Sequence, residues 1–473
     1  SWRAVKGYGI STEKSSYLIL KNNGLNIKFL TSKGLTTDSS KIGDKTQYKW
    51  TSVNIPAIVK EPLSIGIDNI IDWVKVSPNQ FEYDNTTGNF DNWKNFGTWM
   101  FKLNENANNL PPATKLQVQH LIKDAKSPKE KISKLYNYLQ QNTRYVSVQL
   151  GIGGFKPILA EKVAQVNYGD CKALSNYMKA LLNEAGIKSN LIVIGNGMPS
   201  LNPNYSSIGQ ANHMILAVPL TSDTTFLECT SQYNPMGFIG HDNSDRNVLM
   251  ITEDGGKIIR TPSYQAKDNF QRRKTDIVFT DDVNATIDIN SIYGNAQFED
   301  NMSMLLIEPI EQRKRINEGN NIPNAELISF KFEQSDKTAP IMSEAIKFKS
   351  NQLLAKGGDK AFLTLNLINR RESVPAKIEN RKTHFAVSFS YEDNDQIVYT
   401  LPKSYKIEFL PKDVNISSEF GTYSAKFSHK DNQVIYTRTQ NMTAKSFPPE
   451  KYNDYVEFNK KIVAADKLKA ALT

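Results

Sequence analysis

Cys171, one of two cysteines in 473 residues, stands at the head of the segment YGDCKALSNYMKALLNEAGI. Leu174, Tyr177, Met178, Leu181, Leu182 and Ala185 recur there at steps of three and four, and Gly186 follows as a stop, which predicts a helix beginning at the cysteine. Asp170 is the expected N-cap. The first turn of a helix presents unpaired N–H groups and the positive end of the macrodipole, a setting that favours a thiolate over a thiol. Lys172 adds positive charge nearby and the Asp170 carboxylate opposes it.

A sulfur nucleophile needs a base to move a proton and a third group to orient that base. Five histidines are available. His120 falls inside a predicted helix, His241 lies in the polar stretch GHDNSDR, and His384 and His429 belong to the distant C-terminal region. His213 differs from these by opening the strand run HMILAVPL, on a face with Ile215 and Ala217. The next apolar run, FLECT, carries Glu228 on a face with Phe226, and the polar TSDTT lies between the two runs. Paired as a hairpin, residues whose numbers sum to about 441 to 444 face each other, a set that includes His213 and Glu228.

Each of these residues has a structural use when taken singly. A free cysteine is usually packing, a lone histidine is more often a satisfied core residue than a base, and a lone glutamate is an edge charge. Their convergence is what points to cysteine catalysis, with Cys171 as nucleophile, His213 as base and Glu228 as the orienting carboxylate. Cys229 alternates to the face opposite Glu228 and is read as core, not as a disulfide partner for Cys171.

Three regions have to position this set. Residues 1–108 alternate in period two, as in SYLILKNNGLNIKFL, where NNG reads as a hairpin turn, and all five tryptophans lie here as packing anchors for a β-rich domain. The prolines of NLPPAT end that region. Residues 112–262 carry two amphipathic helices, the second with Ser127 as N-cap and Pro128 at its first position, then the Cys171 helix and the strand runs NLIVIGN and HMILAVPL. Residues 268–473 return to alternation, with a helical insert in EDNMSMLLIEPIEQRKRINE and a helix in YNDYVEFNKKIVAADKLKAAL closing the chain. The fold class expected is α+β, a central domain between two β-sandwich-like domains.

The segments YGDCKALSNYMKALLNEAGI, NHMILAVPL, FLECTSQYNPMGF and RYVSVQLGIGGFKPILAEKV resemble the transglutaminase-like branch of the papain-like superfamily, in which Cys, His and an acidic residue follow in that order. LPKSYKIEFLPKDVNISSEFGTYSAKF and FPPEKYNDYVEFNKKIVAADKLKAAL resemble the C-terminal domain of exported bacterial proteins that place this fold between two β-rich domains. The resemblance implies a Cys171–His213–Glu228 triad, protein or peptide amides as substrates, a thioester intermediate, no cofactor, and an exported, periplasmic or cell-surface location. It further implies an oxyanion site made of the nucleophile's own backbone N–H and an upstream side chain, for which Gln149 and Gln165 are the candidates. Two positions depart from the family. Ala173 stands where it usually has Asp, and Glu228 where transglutaminases commonly have Asp. The N-terminal region is also shorter than the family's, as though its first half were missing.

Composition removes other classes. No stretch approaches the roughly 18–20 apolar residues of a membrane helix. The net charge of +9 comes from 58 basic and 49 acidic residues, and its densest groups, QRRK and EQRKR, include no aromatic platform, so nucleic acid is not expected as a partner. Two cysteines and no His-rich cluster exclude a disulfide framework and a zinc site. Ser1 is not an initiator methionine, so a secretion signal has been removed or was never present. The competing reading is an inert scaffold whose flanking β domains bind peptide or glycan.

Overall fold

Alternation builds the sheets of this protein and three-to-four spacing builds its helices. In a computed structural model describing residues 1–83, 85–147, 154–221 and 223–473, the chain divides into two units. One comprises Ser1–Lys60 with Gly66–Ser263, the other Glu61–Ile65 with Tyr264–Thr473.

In the first unit, NNG does not close a hairpin. The strand Thr12–Asn22 pairs with Lys45–Ile55, while Ile27–Thr31 pairs with Trp73–Pro78 in a different sheet. Aromatic stacking accounts for the parting. Tyr17, Phe29 and Tyr48 all have ring centroids within 6.3 Å of Trp50, so the two strands meet through their side chains instead of their edges. The β reading up to residue 108 also gives way to a helix, α1 (Trp93–Leu103), capped by the Asn92 side chain on the Asn95 amide at 2.8 Å. It buries Trp93, Phe96, Trp99, Met100 and Leu103 at helical spacing. Two of the tryptophan anchors therefore serve a helix.

After α1 come α2 (Pro112–Ile122), α3 (Pro128–Asn142), α4 (Ala160–Val166) and α5 (Cys171–Glu184). The Ser127 hydroxyl caps α3, with Pro128 at its first position. These helices serve a five-stranded antiparallel sheet whose order is Thr224–Leu227, His213–Pro219, Asn190–Ile194, Asn247–Thr252, Gly255–Arg260. Leu191, Val193, Met214, Leu216 and Leu249 point to one core, shared with α1, α3 and α5. Ile192, Ile194, Ile215, Ala217 and Val248 point to a second, smaller cluster. The expected boundary between 108 and 112 falls inside this unit because α1 packs on the sheet. That approach is close, since a Cβ on Gly97 would sit 2.1 Å from the Gly256 Cα.

The second unit is built on eight strands, with the parallel pair Phe270–Phe279 and Tyr391–Thr400 at its middle. The expected insert forms α6 (Ala296–Asn301) and α7 (Pro309–Gly319). The closing segment is helical only in part. α8 (Tyr452–Asp466) stops, and Lys469–Leu472 becomes a strand between Lys360–Thr364 and Ile407–Phe409, because Ala470 and Leu472 alternate into the core. Residues 61–65 reach this unit as a strap. Thr383 and Lys382 donate backbone N–H groups to the Glu61 carboxylate, Arg381 donates to the Pro62 carbonyl at 2.8 Å, and Ala386 donates to the Leu63 carbonyl at 3.0 Å. The flanking β-rich regions are open sheets, and among the described residues no helix is long and apolar enough to cross a membrane.

Because the Gly97 Cα lies against backbone, not a movable side chain, Gly97→Ala is expected to destabilise the first unit by about 1–3 kcal/mol or more. Urea unfolding should show it as a lower midpoint at unchanged slope.

Candidate active site

Cys171 is delivered by a short backbone ladder and a helix cap. Tyr168–Gly169 runs parallel to Arg144–Tyr145, and the Gly169 carbonyl accepts from the Val146 amide at 2.9 Å. Asp170 is extended at φ −80°, ψ −177°, and its Oδ1 accepts from the Ala173 amide at 3.0 Å, so α5 begins at Cys171. Its Oδ2 is paired with the Lys172 ammonium, so the expected opposition between these charges is met as a local ion pair. A Cβ on Gly169 would lie 2.6 Å from that of Ala173, which is itself fully buried. A carboxylate at position 173 would lose solvent in that core, and Asp170 already caps the helix.

The same helix is pinned beside His213. Ser175 Oγ donates to the Met214 carbonyl at 3.1 Å, one residue from His213. In the hairpin, Leu216 faces Leu227 and Ala217 faces Phe226, inside the expected range of registers. The ladder ends at Leu227, so Glu228 lies diagonal to His213, not directly opposite. Its longer side chain covers the difference, and His213 Nε2 donates to Glu228 Oε2 at 2.9 Å. Cys171 lines the same cavity as His213 and acts on its ring electrostatically. With Nε2 given to the carboxylate, Nδ1 is the nitrogen left for the sulfur.

Sequence reasoning missed two supports of Glu228. Its Oε1 accepts from the Thr230 amide at 3.1 Å and the Thr230 hydroxyl at 2.5 Å, and its Oε2 also accepts from Asn243 Nδ2 at 3.1 Å. Four donors thus hold a carboxylate that is 6% exposed. A hydroxyl two residues after an acid is a local turn pattern, so Thr230 was within reach of the sequence. Asn243 was not, since it comes from the GHDNSDR loop and is placed only by tertiary packing. Asn243 Oδ1 in turn accepts from Asn196 Nδ2 at 2.9 Å, and Asn196 exchanges two backbone hydrogen bonds with the Asn212 side chain, next to His213.

Burial, the largest influence on His213, lowers its pKa, but the Glu228 charge, the nearby Cys171 and the bond to Glu228 outweigh it and push the value up to about 10. Burial likewise raises Glu228, and the His213 charge with the hydrogen bonds from His213 and Thr230 brings it below the usual carboxylate range. The stabilisation His213 gains from the pair is complete below its ordinary 6.5 and is lost as pH rises through about 10. Glu228's share is present above its ordinary 4.5 and is lost as pH falls through its lowered value.

Cys171 and His213 open on a cavity of about 130 Å³, with Phe155, Met100, Val193 and Met214 among its walls. Both side chains keep some access to it, His213 at 14% exposure. Of the oxyanion candidates, Gln149 lies outside the described residues. Gln165 does not join the cavity: α4 turns Ala160 and Val163 inward and leaves Gln165 exposed on the other side. The Cys171 amide, in the first turn of α5, is a donor with no intrahelical acceptor. Cys229 is buried and free, and burial pushes its thiol pKa well up. Among the described residues no group of three or more His, Cys, Asp or Glu is placed to hold a metal.

Residues 117–222 match the family model of the transglutaminase-like superfamily, a span that includes Cys171 and His213 and ends before Glu228. Residues 359–472 match a domain of unknown function with a solved structure. Among solved structures, a proposed protease from Parabacteroides distasonis ATCC 8503 aligns over 99% of this chain and 74% of its own, at 12% identity and a TM-score of 0.59. At that identity the likeness is one of fold. A proposed cysteine protease from Cytophaga hutchinsonii aligns over 46% of this chain and 72% of its own at 7% identity, with a TM-score of 0.22 that carries no argument. No curated protein matches the sequence significantly. The centre of the chain is a transglutaminase-like domain flanked by β-rich regions.

Two measurements test the electrostatics. In Glu228→Gln the largest of the contributions that raise His213 is gone, so the ring resonances followed by NMR should titrate at clearly lower pH than the wild-type value near 10. Asn243→Ala removes one donor from Glu228 and is expected to cost about 1–3 kcal/mol in chemical denaturation.

Proposed function

We propose that the transglutaminase-like domain is a cysteine-dependent amide hydrolase or acyl transferase, acting on protein or peptide amides through a thioester. One observation carries the reading: Cys171, His213 and Glu228 are drawn from a helix start, a strand start and a strand end, with His213 bonded to Glu228 and sharing one cavity with Cys171.

As the sulfur attacks, the Cys171 proton passes to His213 Nδ1, giving an imidazolium that Glu228 holds by Nε2. The sulfur attacks the amide carbonyl carbon, and the oxygen takes up the electron pair as an oxyanion facing the Cys171 N–H. As the C–N bond breaks, His213 returns the proton to the leaving amine, and the acyl group stays on sulfur as a thioester. Water or a second amine then attacks that carbonyl, giving up a proton to His213, and the thiolate is released. Glu228 remains a carboxylate throughout, since its four donors stabilise the charged form. An exported location belongs to the same proposal and is checked by fractionating the source cells.

The test combines labelling with product analysis. Iodoacetamide near neutral pH should alkylate Cys171 faster than a free thiol, and the excess should vanish in His213→Ala. Mass spectrometry of a peptide library incubated with and without a primary amine should show cleaved, deamidated or amine-adducted products, absent with Cys171→Ala. Glu228→Gln should slow their formation by about 100-fold or more. A thiol no more reactive than a free one, with no product, rejects the enzyme and leaves the scaffold reading.

A further inference from the structure

The second unit contains a cavity of about 340 Å³ between the inner face of the eight-stranded sheet and the 301–322 segment. Its walls are mixed, with Ile289, Ile316, Phe332, Ile346, Phe348 and Leu367 supplying the apolar part. Three charged residues line it as well: Arg273 and Glu344 from the sheet, and Arg315, which is already paired with Glu311 at 3.3 Å, from the helix. Arg273 and Glu344 lie on the two strands that flank Ala285–Gly294, whose Ser291 stands opposite both of them.

The charges are held near each other without touching. Arg273 Nε donates to Ser291 Oγ at 2.9 Å and Nη2 to the Tyr293 hydroxyl at 3.0 Å. Those hydroxyls donate onward to Glu344 Oε1 at 2.9 and 3.1 Å. Two hydrogen bonds in series keep the charged ends within about 6 Å of each other. These bonds use two of the five guanidinium N–H groups. Both bonds to Glu344 fall on Oε1, and among the described residues no donor reaches Oε2. Asp395 forms a long ion pair with Arg273 Nη1 at 3.8 Å, and is more closely bonded by Arg438 at 2.8 Å and by Gln271 at 2.9 Å. Arg273 is 12% exposed, which shields it from bulk water, and it keeps N–H groups beyond the two used above.

This arrangement discriminates by charge. A simple anion would gain Arg273 but meet Glu344, and a simple cation would meet the reverse. A molecule carrying both charges a few ångströms apart satisfies both, and the apolar part of the walls favours one with a hydrophobic side chain. The volume is near the lower end of ordinary ligand pockets, about 300–1,000 Å³, which limits the ligand to a small one.

We propose that this cavity binds a small zwitterion with an apolar side chain, an amino acid or a dipeptide, with Arg273 taking the carboxylate and Glu344 the ammonium. The site is independent of the cysteine chemistry.

Isothermal titration calorimetry on the full chain carrying Cys171→Ala, which cannot cleave a peptide through the sulfur, tests it. The titrants are phenylalanine, leucyl-phenylalanine, N-acetylphenylalanine (anion alone) and phenethylamine (cation alone). At least one zwitterion should bind, and the single-charge analogues about tenfold or more weakly. The tighter of the two zwitterions names the ligand. Glu344→Gln should erase the preference over N-acetylphenylalanine. Ile346→Trp, which fills the cavity, should abolish binding, with Ile289→Phe as a second filled variant and circular dichroism to confirm folding. The proposal is overturned if neither zwitterion binds, if the analogues bind equally well, or if binding survives in a folded filled variant. It also fails if filling raises the melting temperature while the parent binds nothing, which would mark the cavity as a packing gap.

Discussion

A carboxylate taken out of water must be surrounded by donors or lose its charge, and the geometry of the candidate site follows from how Glu228 meets that demand. His213 supplies one donor, and in doing so its ring is fixed in tautomer and orientation. Thr230 and Asn243 supply the rest. With the acid satisfied, the imidazole can remain charged in a buried place, where burial alone would leave it neutral. The sulfur therefore meets an oriented ring.

The scaffold supports that pair by tying separate elements at their ends. Ser175 locks α5 to the strand that His213 opens, and the ladder through Gly169 fixes the approach to Cys171. Small residues occur where backbones must touch, at Gly169 against Ala173 and at Gly97 against Gly256. The chain Glu228–Asn243–Asn196–Asn212 closes a loop of polar contacts behind the histidine. Bending one member of such a network disturbs the others, which gives the site rigidity that no single bond provides.

Local rules made the Cys171 helix, its Asp170 cap and the His213–Glu228 hairpin legible, because spacing and alternation determine each within a few residues. They misled where tertiary contacts override a local signal. NNG looks like a hairpin turn, but aromatic packing around Trp50 sends the two strands to different sheets. Trp93–Leu103 sits among strands, yet its apolar face has helical period and a sheet to cover. The last four-residue strand was absorbed into the helix before it, since alanine and leucine suit either. Gln165 was a candidate by position alone, and α4 rotates it outward. Asn243 carried no signal at all, being brought to Glu228 by a loop.

The strap formed by residues 61–65 makes the chain topologically interleaved: one unit borrows five residues from the middle of the other. A single cut near residue 263 would not yield the second half whole. Arg381, whose side chain is 2% exposed, would lose both its bond to the Pro62 carbonyl and the negative charge of Glu61, 3.9 Å away. It would be left stacked over Tyr452 with its charge unanswered. Evolution by shuffling this half into a new protein would have to carry the strap along or replace it.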